Sequence, residues 1–79
     1  MITMEEALIL VVLSPSFNYD DVKEIRKLPG VDDAQLIYGA YDMYVTIKAD
    51  GIGQLRDTVM ALREYEGIKS TLTCNVIEQ

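Results

Sequence analysis

The sequence contains no histidine, no tryptophan and a single cysteine, Cys74. The absence of histidine removes the commonest general base and the commonest metal ligand. A lone thiol cannot form a disulfide within the chain or build a zinc site by itself. The residue types therefore predict no metal, no cofactor and no catalytic residue. An unpaired cysteine without a targeting segment also predicts a cytoplasmic location.

Basic residues are also few, because seven lysines and arginines stand against 13 aspartates and glutamates, for a net charge of −6. An acidic surface repels phosphate, so the chain is not expected to bind DNA or an anionic membrane directly. No apolar run approaches the roughly 20 residues that a membrane helix needs.

A length of 79 residues predicts one domain, which we place at 7–79 after a short leader at 1–6. A chain of this size buries only about 60% of its unfolded surface, so its core alone is marginal. The hydrophobic content is nevertheless 49%. Together these features predict that the domain associates with further copies of itself.

The apolar pattern predicts four strands and two helices. The segment at 7–13 (ALILVVL) is unbroken and apolar, which favours a strand covered on both faces. Asn18 is a good N-cap for a first helix, and Pro29-Gly30 ends that helix. Further strands are predicted at 31–38, 43–49 and 68–77, with a second helix capped by Asp50 and ended by Gly67.

The resulting order, β-α-β-β-α-β, predicts a ferredoxin-like α+β fold. Its four-stranded antiparallel sheet has the order 4-1-3-2, with both helices on one face. Alternation predicts that Cys74 is buried on the helix side. The open face is expected to pair with that of a second copy, because it is too apolar for permanent contact with water. Alternation gives this open face Tyr44, Thr46, Thr71, Thr73 and Asn75, with one apolar set from the first strand.

Two groups of residues are candidates for ligand binding, and each has a simpler structural explanation. The hairpin Gly39-Ala40-Tyr41-Asp42 has ordinary turn chemistry, but its backbone N–H groups and its carboxylate also suit a zwitterionic ligand. Thr71 and Thr73 suit cross-strand packing, but their hydroxyls can also contact a ligand. The residues alone leave both alternatives open.

Three segments together resemble the effector domain of the Lrp/AsnC regulators, also called the RAM domain. They are Leu28-Pro29-Gly30-Val31, Tyr38-Gly39-Ala40-Tyr41-Asp42 and Gly67-Ile68-Lys69-Ser70-Thr71-Leu72-Thr73. The resemblance covers about residues 7–77 and includes an aspartate at the predicted second cap, with Ile68 where the family pattern has valine. Full-length members carry an N-terminal helix-turn-helix, whereas six residues precede the first strand here. We therefore expect a stand-alone effector domain.

The resemblance implies homodimers that pair through their open sheet faces and assemble into octamers or decamers. It also implies an amino-acid effector between dimers, with Gly39, Ala40 and Tyr41 on its carboxylate and Asp42 on its ammonium group. Thr71 and Thr73 are similar to strand positions lining that interface. The expected function is an amino-acid-binding regulatory domain that modulates transcription through other regulators, such as full-length Lrp/AsnC proteins. The alternatives are a ligand-free interaction module and a small dimeric ferredoxin-like enzyme.

Overall fold

A computed structural model describes residues 4–77 and has the predicted order of elements. The strands form one antiparallel sheet in the order β2-β3-β1-β4, which confirms the ferredoxin-like fold. No helix within residues 4–77 is long and apolar enough to cross a membrane. The strands are β1 (Met4–Leu13), β2 (Val31–Leu36), β3 (Met43–Asp50) and β4 (Ile68–Asn75), and the helices are α1 (Val22–Arg26), after a 3₁₀ turn at Tyr19–Asp21, and α2 (Ile52–Glu64).

The core lies between one face of the sheet and the two helices. Ile9 of β1 and Val45 of β3 are fully buried on this face, and they belong to the same apolar cluster as Ile25 of α1 and Leu62 of α2. Both helices therefore cover one side of the sheet, as predicted. The 3₁₀ turn begins after Asn18, whose side-chain oxygen accepts a hydrogen bond from the backbone N–H of Asp20 at 3.0 Å.

The glycines that follow the two helices have nearly the same φ angle, and they occupy the same place in a short internal repeat, Leu28-Pro29-Gly30-Val31 and Tyr65-Glu66-Gly67-Ile68. Gly30 and Gly67 have φ angles of +89° and +91°, which side chains rarely adopt. A Cβ atom at Gly30 would lie 2.6 Å from the Thr58 hydroxyl, and one at Gly67 would lie 2.7 Å from the Phe17 Cα. Each glycine thus permits both the turn and the close approach of another element.

The start of α2 differs from the prediction. Asp50 is the last residue of β3, and Gly51 occupies the N-cap position without a side-chain cap. Instead, the side-chain oxygen of Gln54 accepts a hydrogen bond from the backbone N–H of Asp50. The prediction that Asp50 caps this helix is therefore wrong. The start of the helix is held by the Gln54 side chain, which binds the backbone just before it.

The strand ends also differ from the predicted ones. β1 begins at Met4, so that Glu6, assigned to a leader above, pairs with Lys48 in the sheet. β2 ends at Leu36 and β4 at Asn75, each two residues before the predicted end.

The two faces of β4 are the reverse of those predicted. Thr71 pairs with Val11 and Thr73 with Ile9, and paired residues point to the same face of a sheet. Val11 and Ile9 are fully buried on the helix side. Thr71 and Thr73 therefore lie on the helix side, and the prediction that placed them on the open face is wrong; Asn75, which pairs with Ala7, is corrected in the same way.

The opposite residues of β4 extend the open face. Leu72 pairs with Leu10 and Cys74 with Leu8, so Cys74 is exposed on the open face and is not buried under the helices. Because β4 is an edge strand that α2 covers only in part, alternation of apolar residues does not identify its core side. The open face therefore has Ser70, Leu72 and Cys74 in place of Thr71, Thr73 and Asn75, which makes it more apolar than predicted. Its members are Glu6, Leu8, Leu10, Val12, Asp33, Gln35, Tyr44, Thr46, Lys48, Ser70, Leu72 and Cys74.

Candidate functional site

The hairpin between β2 and β3 is fastened to β1 by Asp42. The backbone N–H of Asp42 donates to the Val11 carbonyl at 2.9 Å. Its side-chain Oδ2 accepts the backbone N–H of Leu13, also at 2.9 Å. The hairpin closes on itself through a hydrogen bond from the Ile37 N–H to the Asp42 carbonyl. The Asp42 carboxylate therefore has a structural partner, which the sequence did not indicate.

The tip of the hairpin leaves polar groups without partners. Among residues 4–77, the backbone N–H groups of Gly39, Ala40 and Tyr41 find no hydrogen-bond acceptor. The Oδ1 atom of Asp42 likewise makes no hydrogen bond or ion pair within the part of the chain that the structure describes. The hairpin thus carries three N–H donors and one carboxylate oxygen without a partner among residues 4–77, a few residues apart in sequence.

A cavity of about 410 Å³ lies beside this hairpin, and we call it the hairpin cavity. It lies between the hairpin and the loop that follows β1, and it carries one carboxylate, from Asp42. Its volume is within the range of small-molecule sites, at about 300–1,000 Å³. Its walls are mostly apolar and aromatic, from Leu13, Ser14, Pro15, Tyr19, Leu36, Ile37, Tyr38 and Asp42.

Thr71 and Thr73 lie elsewhere in the molecule. They line a second cavity, of about 470 Å³, between α2 and the edge of the sheet. We call this cavity and the adjoining surface of α2 the α2–β4 groove. Its wall also includes Arg63 and Lys69, and it shares no residue with the hairpin cavity. One chain therefore does not bring the two predicted groups of site residues together.

Sequence reasoning missed several residues of both cavities. Tyr19 and Tyr38 are exposed and flank the hairpin cavity. The sheet order was a usable signal, because it places the loop after β1 beside the start of β3. Lys69 was also identifiable, since alternation puts it on the same face of β4 as Thr71 and Thr73.

Solved structures of known proteins support the resemblance that the sequence motifs indicated. No protein-family model and no curated protein matches this sequence. Among solved structures, FFRP-DM1 is 26% identical, with a TM-score of 0.83 over 92% of this chain and 99% of its own. Escherichia coli AsnC is 19% identical, with a TM-score of 0.73 over 95% of this chain and 52% of its own.

A third neighbour is a transcriptional regulator from Neisseria meningitidis, solved as a complex with L-Met. It is 18% identical, with a TM-score of 0.77 over 95% of this chain and 51% of its own. The present chain thus spans about half the length of this regulator and of AsnC, but nearly all of FFRP-DM1. The chain therefore has the fold of the Lrp/AsnC effector domain, as its sequence motifs indicated.

Proposed function

We propose that this chain is an amino-acid-binding regulatory domain of the Lrp/AsnC type, without catalytic activity, that works as an oligomer. The observation that supports this best is the hairpin, where three residues with unpartnered N–H groups directly precede Asp42, the one of the four that lines the hairpin cavity. Every free amino acid has a carboxylate and an ammonium group, and the hairpin offers a partner to each. The L-Met complex of the Neisseria meningitidis relative supports the same ligand class.

The proposed site is completed by a second copy of the chain. Thr71 and Thr73 line a different cavity from that of the hairpin, so they cannot serve the hairpin ligand of their own chain. We place the ligand between the hairpin of one copy and the α2–β4 groove of another. Such a ligand binds only the assembled state and stabilises it by mass action, which gives the domain a way to report amino-acid supply through its assembly.

Pairing of the open faces is the second contact of the proposed oligomer. Leu8, Leu10 and Val12 are only half-buried in the single chain, and Leu72 is 47% exposed beside them. A contiguous apolar patch of this kind is typical of an interface. The dimers would then join into a ring of octamer or decamer size. Such assemblies would act in the cytoplasm, where the exposed Cys74 stays reduced, and mixed assemblies with full-length regulators would couple them to transcription.

The test is calorimetric titration of the purified domain with each of the twenty amino acids, repeated with Asp42→Asn. Asparagine keeps an oxygen that can accept the Leu13 N–H, so the hairpin stays fastened, but the negative charge is lost. A hydrogen bond to a charged group contributes about 1.5–3 kcal/mol, so we expect the affinity to fall by roughly ten-fold or more.

Asp32→Asn is the matched control, because Asp32 is exposed, lies outside both cavities and makes no ion pair within residues 4–77. It is expected to leave affinity unchanged. Failure of all twenty amino acids to bind would reject the proposed function in favour of a ligand-free interaction module. Equal affinity of Asp42→Asn and the wild type would remove Asp42 from the site.

A further inference from the structure

Of the hairpin cavity and the α2–β4 groove, it is the groove that has basic residues in its wall. Arg63 and Lys69 stand in its wall with Thr71 and Thr73, and Arg56 lies on the adjoining surface of α2. No aspartate or glutamate of residues 4–77 lines either part of the groove. The chain has seven basic residues against 13 acidic ones, so three of the seven in one carboxylate-free groove is a marked concentration.

Two of these three cations lack partners that comparable residues have, whereas Arg56 lies 3.9 Å from an Asp57 carboxylate oxygen. Arg26 lies 3.5 Å from an Asp33 carboxylate oxygen, and Lys27 lies 3.4 Å from one of Glu24. Within the described part of the chain, neither Arg63 nor Lys69 has a carboxylate oxygen within 4.0 Å. The groove thus carries two positive charges, those of Arg63 and Lys69, that no carboxylate of residues 4–77 pairs with.

We propose that the effector is a small dicarboxylic amino acid, of the aspartate or glutamate class, and that Arg63 and Lys69 bind its side-chain carboxylate. This inference rests on the proposed function, in which the hairpin of one copy holds the main-chain groups and the groove of another holds the side chain. Arginine binds a carboxylate through two parallel hydrogen bonds, and Lys69 adds a second charge beside it. The hydroxyls of Thr71 and Thr73 can donate to the same group. A volume of about 470 Å³ accommodates a ligand of this size.

The test compares L-glutamate with L-glutamine and L-aspartate with L-asparagine by titration calorimetry. Each pair has nearly the same shape and differs by one charge. We expect each acid to bind more tightly than its amide, by roughly ten-fold or more, and we expect this preference to weaken as salt is added. Arg63→Gln and Lys69→Gln should each remove most of the preference for the acid over its amide.

Lys23→Gln is the matched control, because it removes the same charge from an exposed position on α1 outside the groove. It should retain the preference for the acids. Tighter binding of a neutral amino acid, with affinity that still depends on Asp42, would overturn the inference while leaving the proposed function intact. If no amino acid binds, both this inference and the proposed function are rejected. If Arg63→Gln alters only the oligomer mass and no dicarboxylate binds, the groove holds an acidic surface of another copy, and the inference is likewise overturned.

Discussion

Folding changes the ionisation of Tyr65, which packs against the core just after α2. Loss of hydration raises the pKa of its phenol above the ordinary value of 10.0, and the carboxylates of Asp21 and Glu24 raise that pKa further. Since the pKa is higher in the folded state, the contribution of Tyr65 to stability is complete below pH 10.0 and is lost as pH rises through the folded-state value.

We therefore predict that Tyr65→Phe weakens the alkaline fall in the free energy of unfolding, measured by urea denaturation from neutral pH to above 10.0. Phenylalanine keeps the ring and removes the group that titrates. Tyr38→Phe is the control, because the Tyr38 side chain is fully exposed, and it should retain the wild-type fall. Parallel curves for Tyr65→Phe and the wild type would contradict the assignment.

At the scale of the elements, the turn at Gly67 joins α2 to β4 and contacts the loop after β1, where the Ser14 N–H donates to the Gly67 carbonyl at 2.8 Å. Alanine there would meet both a φ of +91° and the Phe17 Cα at 2.7 Å, where backbone cannot give way easily. A strained φ costs about 1–2 kcal/mol and overpacking about 1–3 kcal/mol. We predict that Gly67→Ala lowers the free energy of unfolding by roughly 2–5 kcal/mol, as measured by urea denaturation.

Gly53→Ala makes the same chemical change inside α2, where nothing lies within 4 Å of the added Cβ. Here alanine raises helix propensity, and the free energy of unfolding should increase by up to about 1 kcal/mol. If Gly67→Ala lowers the free energy of unfolding and Gly53→Ala raises it, the loss at position 67 comes from the backbone conformation and close packing there and not from the added methyl group as such. A neutral Gly67→Ala would refute the close packing of this turn.

The same elements show what the sequence could and could not predict. The repeat around Gly30 and Gly67 was visible, because a left-handed turn with a close neighbour leaves glycine as the suitable residue. The faces of β4 were not predictable from alternation, because an edge strand that is exposed on both sides has no periodic signal for the core. The position of Asp42 beside Leu13 depends on pairing between distant strands, so the motif identified the residue but not its hydrogen bond.

At the scale of the whole molecule, one face of the sheet is covered by the helices and the other face is left open. On the helix side Ile9, Val11 and Val45 are fully buried, whereas Leu10 on the open side remains half-buried between Tyr44 and Leu72. Reversal of the β4 faces strengthens the case for open-face pairing, because it moves two threonines off this surface and brings Leu72 and Cys74 onto it. The same reversal places the two threonines in the α2–β4 groove, away from the proposed dimer contact.

Leu72→Glu tests this arrangement, because the open face should tolerate a charge in a monomer but not in a paired sheet. Met60 provides a control of matched exposure, 46% on α2 against 47% for Leu72 on β4, and it lies in the α2–β4 groove, the other proposed contact between copies. A buried charge that replaces an apolar contact costs about 2 kcal/mol or more, and a two-fold dimer incurs this cost twice. We predict that Leu72→Glu weakens dimerisation by roughly a thousand-fold, measured by light scattering after size-exclusion chromatography, whereas Met60→Glu keeps the dimer. Since both side chains are half-exposed in the single chain, neither change should unfold it. Dimers that survive Leu72→Glu but not Met60→Glu would move the interface from the open face to α2.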